Sequence, residues 1–196
     1  MTWQRQSLAA LALCSFACDA SGGPLGPIGE HTDFVDAAAA ATSADGEFDT
    51  ETMCTSDSYW TRGNRESPLM HPGAACIACH ETGALVDDEL ERGPRFSLAG
   101  TVFPSAHEPD DCNGVDGRAE DVSIEVTDAN GSTFRMRANQ VGNFYREDRD
   151  VVFPIHAKVI YQGRTRAMIS AVETGDCNSC HTESGDMAAP GRILLP

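Results

Sequence analysis

Residues 122–137, VSIEVTDANGSTFRMR, decide the fold. Val122, Ile124 and Val126 alternate with Ser123, Glu125 and Thr127, the period of a strand that buries one face. Residues 133–137 (TFRMR) alternate in the same way. Between them, Asp128-Ala129-Asn130-Gly131 contains an Asn-Gly pair, which tolerates the left-handed backbone of a hairpin turn. Working outward, residues 96–103 (FSLAGTVF) read as an earlier strand, and Gly142-Asn143 marks a turn before Phe144-Tyr145. Residues 155–161 (IHAKVIY) and 165–172 (TRAMISAV) flank Gln162-Gly163, a second expected hairpin. About six strands with short turns predict a mainly β chain, an antiparallel β-sandwich over residues 96–174. The segments on either side, 53–95 and 175–196, are expected to hold little regular structure.

Each flanking segment carries a Cys-x-x-Cys-His motif: Cys76-Ile77-Ala78-Cys79-His80 and Cys177-Asn178-Ser179-Cys180-His181. The spacing has a chemical reason. Two thiols add across the two vinyl groups of one porphyrin, two intervening residues let both sulfurs reach the same edge, and the adjacent His supplies an axial nitrogen to iron. Two haem c groups are therefore expected, on Cys76 and Cys79 and on Cys177 and Cys180, with His80 and His181 as proximal ligands. Two other chemistries share the cysteine pattern: one Cys₄ zinc site built from both pairs, and a redox disulfide within each pair. The chain has 8 cysteines. Outside the motifs and the N-terminal stretch only Cys54 and Cys112 remain, and in an oxidising compartment two such cysteines are expected to pair.

The other axial ligand of each iron is the open question, because His and Met set different potentials. His71, His107 and His156 are the histidine candidates, and Met70, Met168 and Met187 are the plausible thioethers. His71 precedes a Pro72-Gly73 turn, which could swing it toward a haem. In a six-stranded antiparallel sandwich the first strand begins and the last ends at one end, so both motifs are expected to meet there, with His156 close by. The loop that holds His107 starts at the far end, and a Cys54–Cys112 bridge would draw it back. In that loop Asp111, Asn113 and Asp116 are out of register for an EF-hand and read as a solvated acidic turn.

Residues 1–18 read as an export signal. Arg5 precedes an apolar run at 8–17 that is too short to span a bilayer. Ala17-Cys18 resembles a lipobox, which would make Cys18 a lipidation site, although Ser15 stands where an aliphatic residue is usual. Cys14 is the alternative. Residues 19–52, rich in Gly, Ala, Ser, Asp and Pro, read as an acidic tether, with His31 idle inside it. With 30 Asp+Glu against 14 Lys+Arg the net charge is −16. That excludes nucleic acid as a natural partner, leaves a lipid anchor as the only expected membrane contact, and favours redox partners with a basic docking surface.

Two resemblances follow from these residues. The Gly-Thr-Val of 100–102, the Ile-x-Val of 124–126 and the Asn-Gly hairpin followed by Gly142-Asn143-Phe144 resemble the carboxypeptidase regulatory, transthyretin-like β-sandwich over roughly 96–172. The whole chain resembles the exported dihaem and multihaem c-type cytochromes that combine Pro-Gly-x-x-Cys-x-x-Cys-His, matched by 72–80, with a β-sandwich and a terminal Cys-Asn-x-Cys-His, matched by 177–181. That resemblance implies electron transfer in the periplasm or at the outer cell surface. Two alternatives remain: a dihaem peroxidase-like enzyme with an open iron site, and an assembly or binding module wired by its haems. The helical class I cytochrome fold is not expected, because strands follow the first motif too soon.

Overall fold

The chain forms seven strands in two sheets, β1 Leu98–Phe103, β2 Ser123–Thr127, β3 Thr133–Arg137, β4 Asn143–Arg146, β5 His156–Tyr161, β6 Arg164–Ala167 and β7 Ile193–Leu194. The structure is a computed structural model that describes residues 46–82 and 93–196. The expected signal at 1–18, lipidation at Cys18, most of the 19–52 tether and residues 83–92 of the first haem segment lie outside the described residues. One sheet has the order β4-β1-β7 and the other β3-β2-β5-β6. Leu98, Val102, Ile124, Val126, Phe144, Ile155 and Val159 form one buried cluster drawn from both sheets. The mainly β sandwich expected from the sequence is present.

The sheets are not all antiparallel. β7 pairs parallel to β1, Val102 with Ile193 and Phe103 with Leu194. A two-residue parallel strand has no period of its own, so only its tertiary neighbour defines it. The hairpins also differ from each other. Gln162 and Gly163 both take left-handed backbone, φ 49° and 76°, between the paired Tyr161 and Arg164, as a two-residue turn requires. The Asn-Gly hairpin is longer. Thr127 pairs with Thr133, and Asp128 Oδ1 accepts the backbone N–H groups of Asn130 and Ser132 at 2.9 and 2.8 Å. An Asp side chain capping its own turn replaces the tighter geometry.

β6 is only four residues long and ends at Ala167, short of the expected 165–172. The chain then rejoins the sandwich where Val172 and Ile155 exchange both backbone hydrogen bonds. It crosses to the other sheet, where Gly175 O accepts Ala99 N at 2.9 Å and Asp176 bridges Ala99 in parallel. Every residue of β1 is buried. It is central in its sheet, with the core on one face and the two motif segments packed against the rest of it. Helix α1, Cys76–Thr82, opens on the first motif, and a 3-10 turn, Cys177–Ser179, opens on the second.

Candidate functional site

The two motifs are neighbours. They lie alongside β1, not beyond the strand ends as the strand count suggested. Asp176, immediately before Cys177, has its carboxylate on the first turn of α1, where Oδ2 accepts Ala78 N at 2.9 Å. A seven-residue helix is too short to stand alone, and here a carboxylate from the other motif caps it. Gly100 makes the close approach possible, since a Cβ there would lie 2.9 Å from Cys177 Cβ and 2.6 Å from the Phe144 ring.

A chain of buried amide and hydroxyl groups locks both motifs to β1. Asn178, inside the second motif, accepts Thr101 N at 3.0 Å and donates to Ala74 O at 2.9 Å, just before the first motif. Thr101 Oγ1 accepts Gly73 N at 3.0 Å and donates to Asn143 Oδ1 at 2.8 Å, and Asn143 Nδ2 donates to Met70 O at 3.0 Å. Arg192 joins the same parts from the other side. Its guanidinium is almost wholly buried and donates to Glu108 O, Gly73 O and the Asp110 carboxylate at 2.8, 2.9 and 2.7 Å. It also lies over the Phe103 ring. The spacing of the motifs carries no trace of these residues, because a single buried Asn, Thr or Arg leaves no pattern in a sequence.

A cleft of about 390 Å³ opens at the first motif and is lined by Cys76, Cys79, His80, Met70, His71 and Phe96, with Tyr145 and others. His80 packs edge-on against Phe96, which packs against Tyr145. Its Nδ1 is buried and has no hydrogen-bond partner among the described residues. Burial holds the His80 imidazole below its ordinary range, with the nearby Pro94 carbonyl opposing. At the second motif burial likewise lowers His181, while its Nδ1 donates to Gly191 O at 2.9 Å. That bond places the proton on Nδ1 and leaves the Nε2 lone pair free, the arrangement of a metal-binding imidazole. Burial, then the neighbouring Asp176 carboxylate, pushes the Cys76 and Cys177 thiols up to about 12. Asp176 is itself raised by burial, opposed by the Ala78 N–H, and its Oδ1 has no hydrogen-bond partner among the described residues.

Cys76, Cys79, Cys177 and Cys180 carry free thiols. Among the described residues the only convergence of three metal-binding side chains is Cys54, Glu108 and Cys112. There the two cysteines are joined in a disulfide with Cα atoms 5.6 Å apart, as expected from the sequence. The motif cysteines do not gather as a Cys₄ zinc site needs. Two thiols and one neutral imidazole per motif, with one motif at a cleft lined by aromatic rings, fit a covalently held haem.

Comparison with protein-family models, curated proteins and solved structures returns no match.

The expected distal candidates separate in space. His71 lines the first cleft. His107 is drawn to the second motif, as expected of the disulfide-tied loop, but both its ring nitrogens meet carbonyls. Nε2 lies 2.9 Å from Phe48 O, and Nδ1 lies against Glu183 O. These two carbonyls, Phe48 first, raise His107 above its ordinary range, and both ring nitrogens are engaged by backbone oxygens. His156 begins β5 opposite Thr127 in the other sheet, exposed, and is not among the cleft's lining residues. Met70 lines the cleft, Met168 hydrogen-bonds through its backbone to Ala157, and the exposed Met187 places its sulfur 3.8 Å from Cys180 Sγ. Asp116 Oδ1 accepts the N–H groups of Arg118 and Ala119, while Asp111 faces His71. The acidic loop is thus a set of turns and side-chain pairs, not a calcium cage.

Proposed function

We propose that this chain is an exported electron-transfer protein that carries two covalently attached haem c groups, one on Cys76, Cys79 and His80 and one on Cys177, Cys180 and His181. The observation that carries the reading is the juxtaposition of the two motifs across one buried carboxylate, Asp176, so that both cofactors share one wall of the sandwich. When bound, each haem supplies a one-electron iron couple. The chain's own residues do the rest. The Thr101–Asn178–Asn143 network and Arg192 fix the distance between the attachment points, and Phe96 and Tyr145 keep one side of the first cleft apolar. The Gly191 carbonyl orients the His181 ring. A rigid frame of this kind lowers the reorganisation that accompanies a change of iron charge.

The resemblances to exported dihaem cytochromes and to a transthyretin-like sandwich support the same reading, as does the Cys54–Cys112 disulfide, which suits an oxidising compartment. Among the described residues no helix is long and apolar enough to cross a membrane. We place the protein in the periplasm or on the outer cell surface, held by a lipid on Cys18, with partners that offer a basic docking face to its net charge of −16. The test is expression in a host that attaches haem c, followed by a covalent haem count. The Cys76→Ala/Cys79→Ala and Cys177→Ala/Cys180→Ala pairs should each remove one haem of two. Two haems retained by either variant would overturn the assignment.

A dihaem peroxidase-like enzyme is the second reading, and it is favoured by His107, whose two ring nitrogens are both engaged by backbone carbonyls beside the second motif. Carbon monoxide binding to the reduced protein, with peroxide turnover, would select it.

A further inference from the structure

His71 and Asp111 form a pair that neither sequence motif contains. His71 Nδ1 donates to Asp111 Oδ1 at 2.8 Å. In the neutral ring this bond puts the proton on Nδ1 and the lone pair on Nε2. Nε2 lies 3.2 Å from the side-chain oxygen of Asn64, which is exposed and free to rotate away when a stronger partner approaches. A ring with one nitrogen tied to a carboxylate and the other carrying a lone pair is the usual state of a metal-ligating histidine. This ring lines the same cleft as Cys76, Cys79 and His80.

The pair is held with unusual firmness. His71 has φ 43° and Asp111 φ 67°, left-handed conformations that a non-glycine residue adopts only when its surroundings enforce them. Asp111 N donates to Pro72 O at 2.8 Å, and Asp111 O accepts Trp60 N at 2.7 Å. Trp60 in turn sets its ring edge-on to His71. The next residue, Cys112, is bonded to Cys54, which anchors the strip that carries Trp60. The disulfide, Trp60 and Asp111 thus form one rigid backing for a single imidazole.

We infer that His71 is the second axial ligand of the first haem and that Asp111 is its positioning residue, held in register by the Cys54–Cys112 disulfide. The two irons are then inequivalent. The first has histidine on both faces, whereas at the second the histidine drawn nearby, His107, has both ring nitrogens engaged by backbone carbonyls. The inference rests on the haem reading above. Hydrogen bonding of Nδ1 to a carboxylate makes the imidazole a stronger donor and favours the oxidised iron. Asp111→Asn is neutral where the carboxylate is charged, so it should raise the potential of the first haem and leave the second unchanged.

The test uses the full chain with its haems, beginning with the covalent haem count of the unaltered protein. In the Cys177→Ala/Cys180→Ala background, which isolates the first haem, His71→Gly should convert its spectrum from bis-histidine to open or high-spin. Added imidazole should restore it. His71→Met should give a His–Met spectrum and a higher potential, which keeps the idea testable if the glycine variant folds poorly. An unchanged first-haem spectrum in both His71 variants would overturn the ligand assignment. An unchanged potential in Asp111→Asn, with His71 ligation intact, would overturn the positioning role. An unaltered protein without covalent haem would overturn the underlying reading, and this inference with it.

Discussion

Asn178 and Arg192 show how single residues join the two motifs. Each is buried and satisfies backbone groups from parts of the chain far apart in sequence. Truncation removes the partner and leaves those groups buried and unpaired, which is where hydrogen bonds are most costly to lose. We expect Asn178→Ala to lose about 2 kcal/mol and Arg192→Met about 3 kcal/mol, measured by urea unfolding. His107 gives a pH signature. Its two carbonyl partners raise it above the ordinary value of 6.5, so the folded state holds the proton more tightly than the unfolded one. The stabilisation is complete below 6.5 and disappears as the pH rises through the folded value. The difference in unfolding midpoint between the unaltered protein and His107→Ala should shrink over that window, and a constant difference would contradict it. Of these residues, only the motif cysteines and histidines were legible in the sequence, because thioether chemistry imposes a spacing. Asn178, Arg192, Thr101 and Asn143 were not, since their partners are set by the fold.

Two elements with left-handed turns make the next level testable. Gly163, at φ 76°, sits in open space at the tip of the β5–β6 hairpin. Gly163→Ala should therefore cost about 1 kcal/mol from backbone strain alone, visible as a lower melting temperature. Six of the seven strands could be read from alternation and turn residues, to within a few positions. β7 could not, because its two residues become a strand only by lying beside β1. The full burial of β1 was foreshadowed by its near-continuous FSLAGTVF texture, which lacks the polar alternation of β2 and β3. The Asn-Gly hairpin was legible as a hairpin but not in its length, because Asp128 competes for the turn's backbone N–H groups.

On the scale of the whole molecule, the described residues, 46–82 and 93–196, belong to one compact unit, in which the disulfide spans 58 residues of chain. Closing a loop of that length stabilises by about 4 kcal/mol in the chain-entropy model. The Cys54→Ala/Cys112→Ala protein should unfold at a correspondingly lower urea concentration. The net charge of −16 predicts that electron exchange with a basic partner slows as salt is added, checked by stopped-flow rates over a range of ionic strength. The central claim is that two haems are bound side by side through the two motifs, and the intact mass of the denatured protein from a haem-attaching host tests it most directly. The account predicts the chain plus two haems, with one lost in each cysteine-pair variant. A chain mass with no haem, in a host that matures other c-type cytochromes, would contradict it.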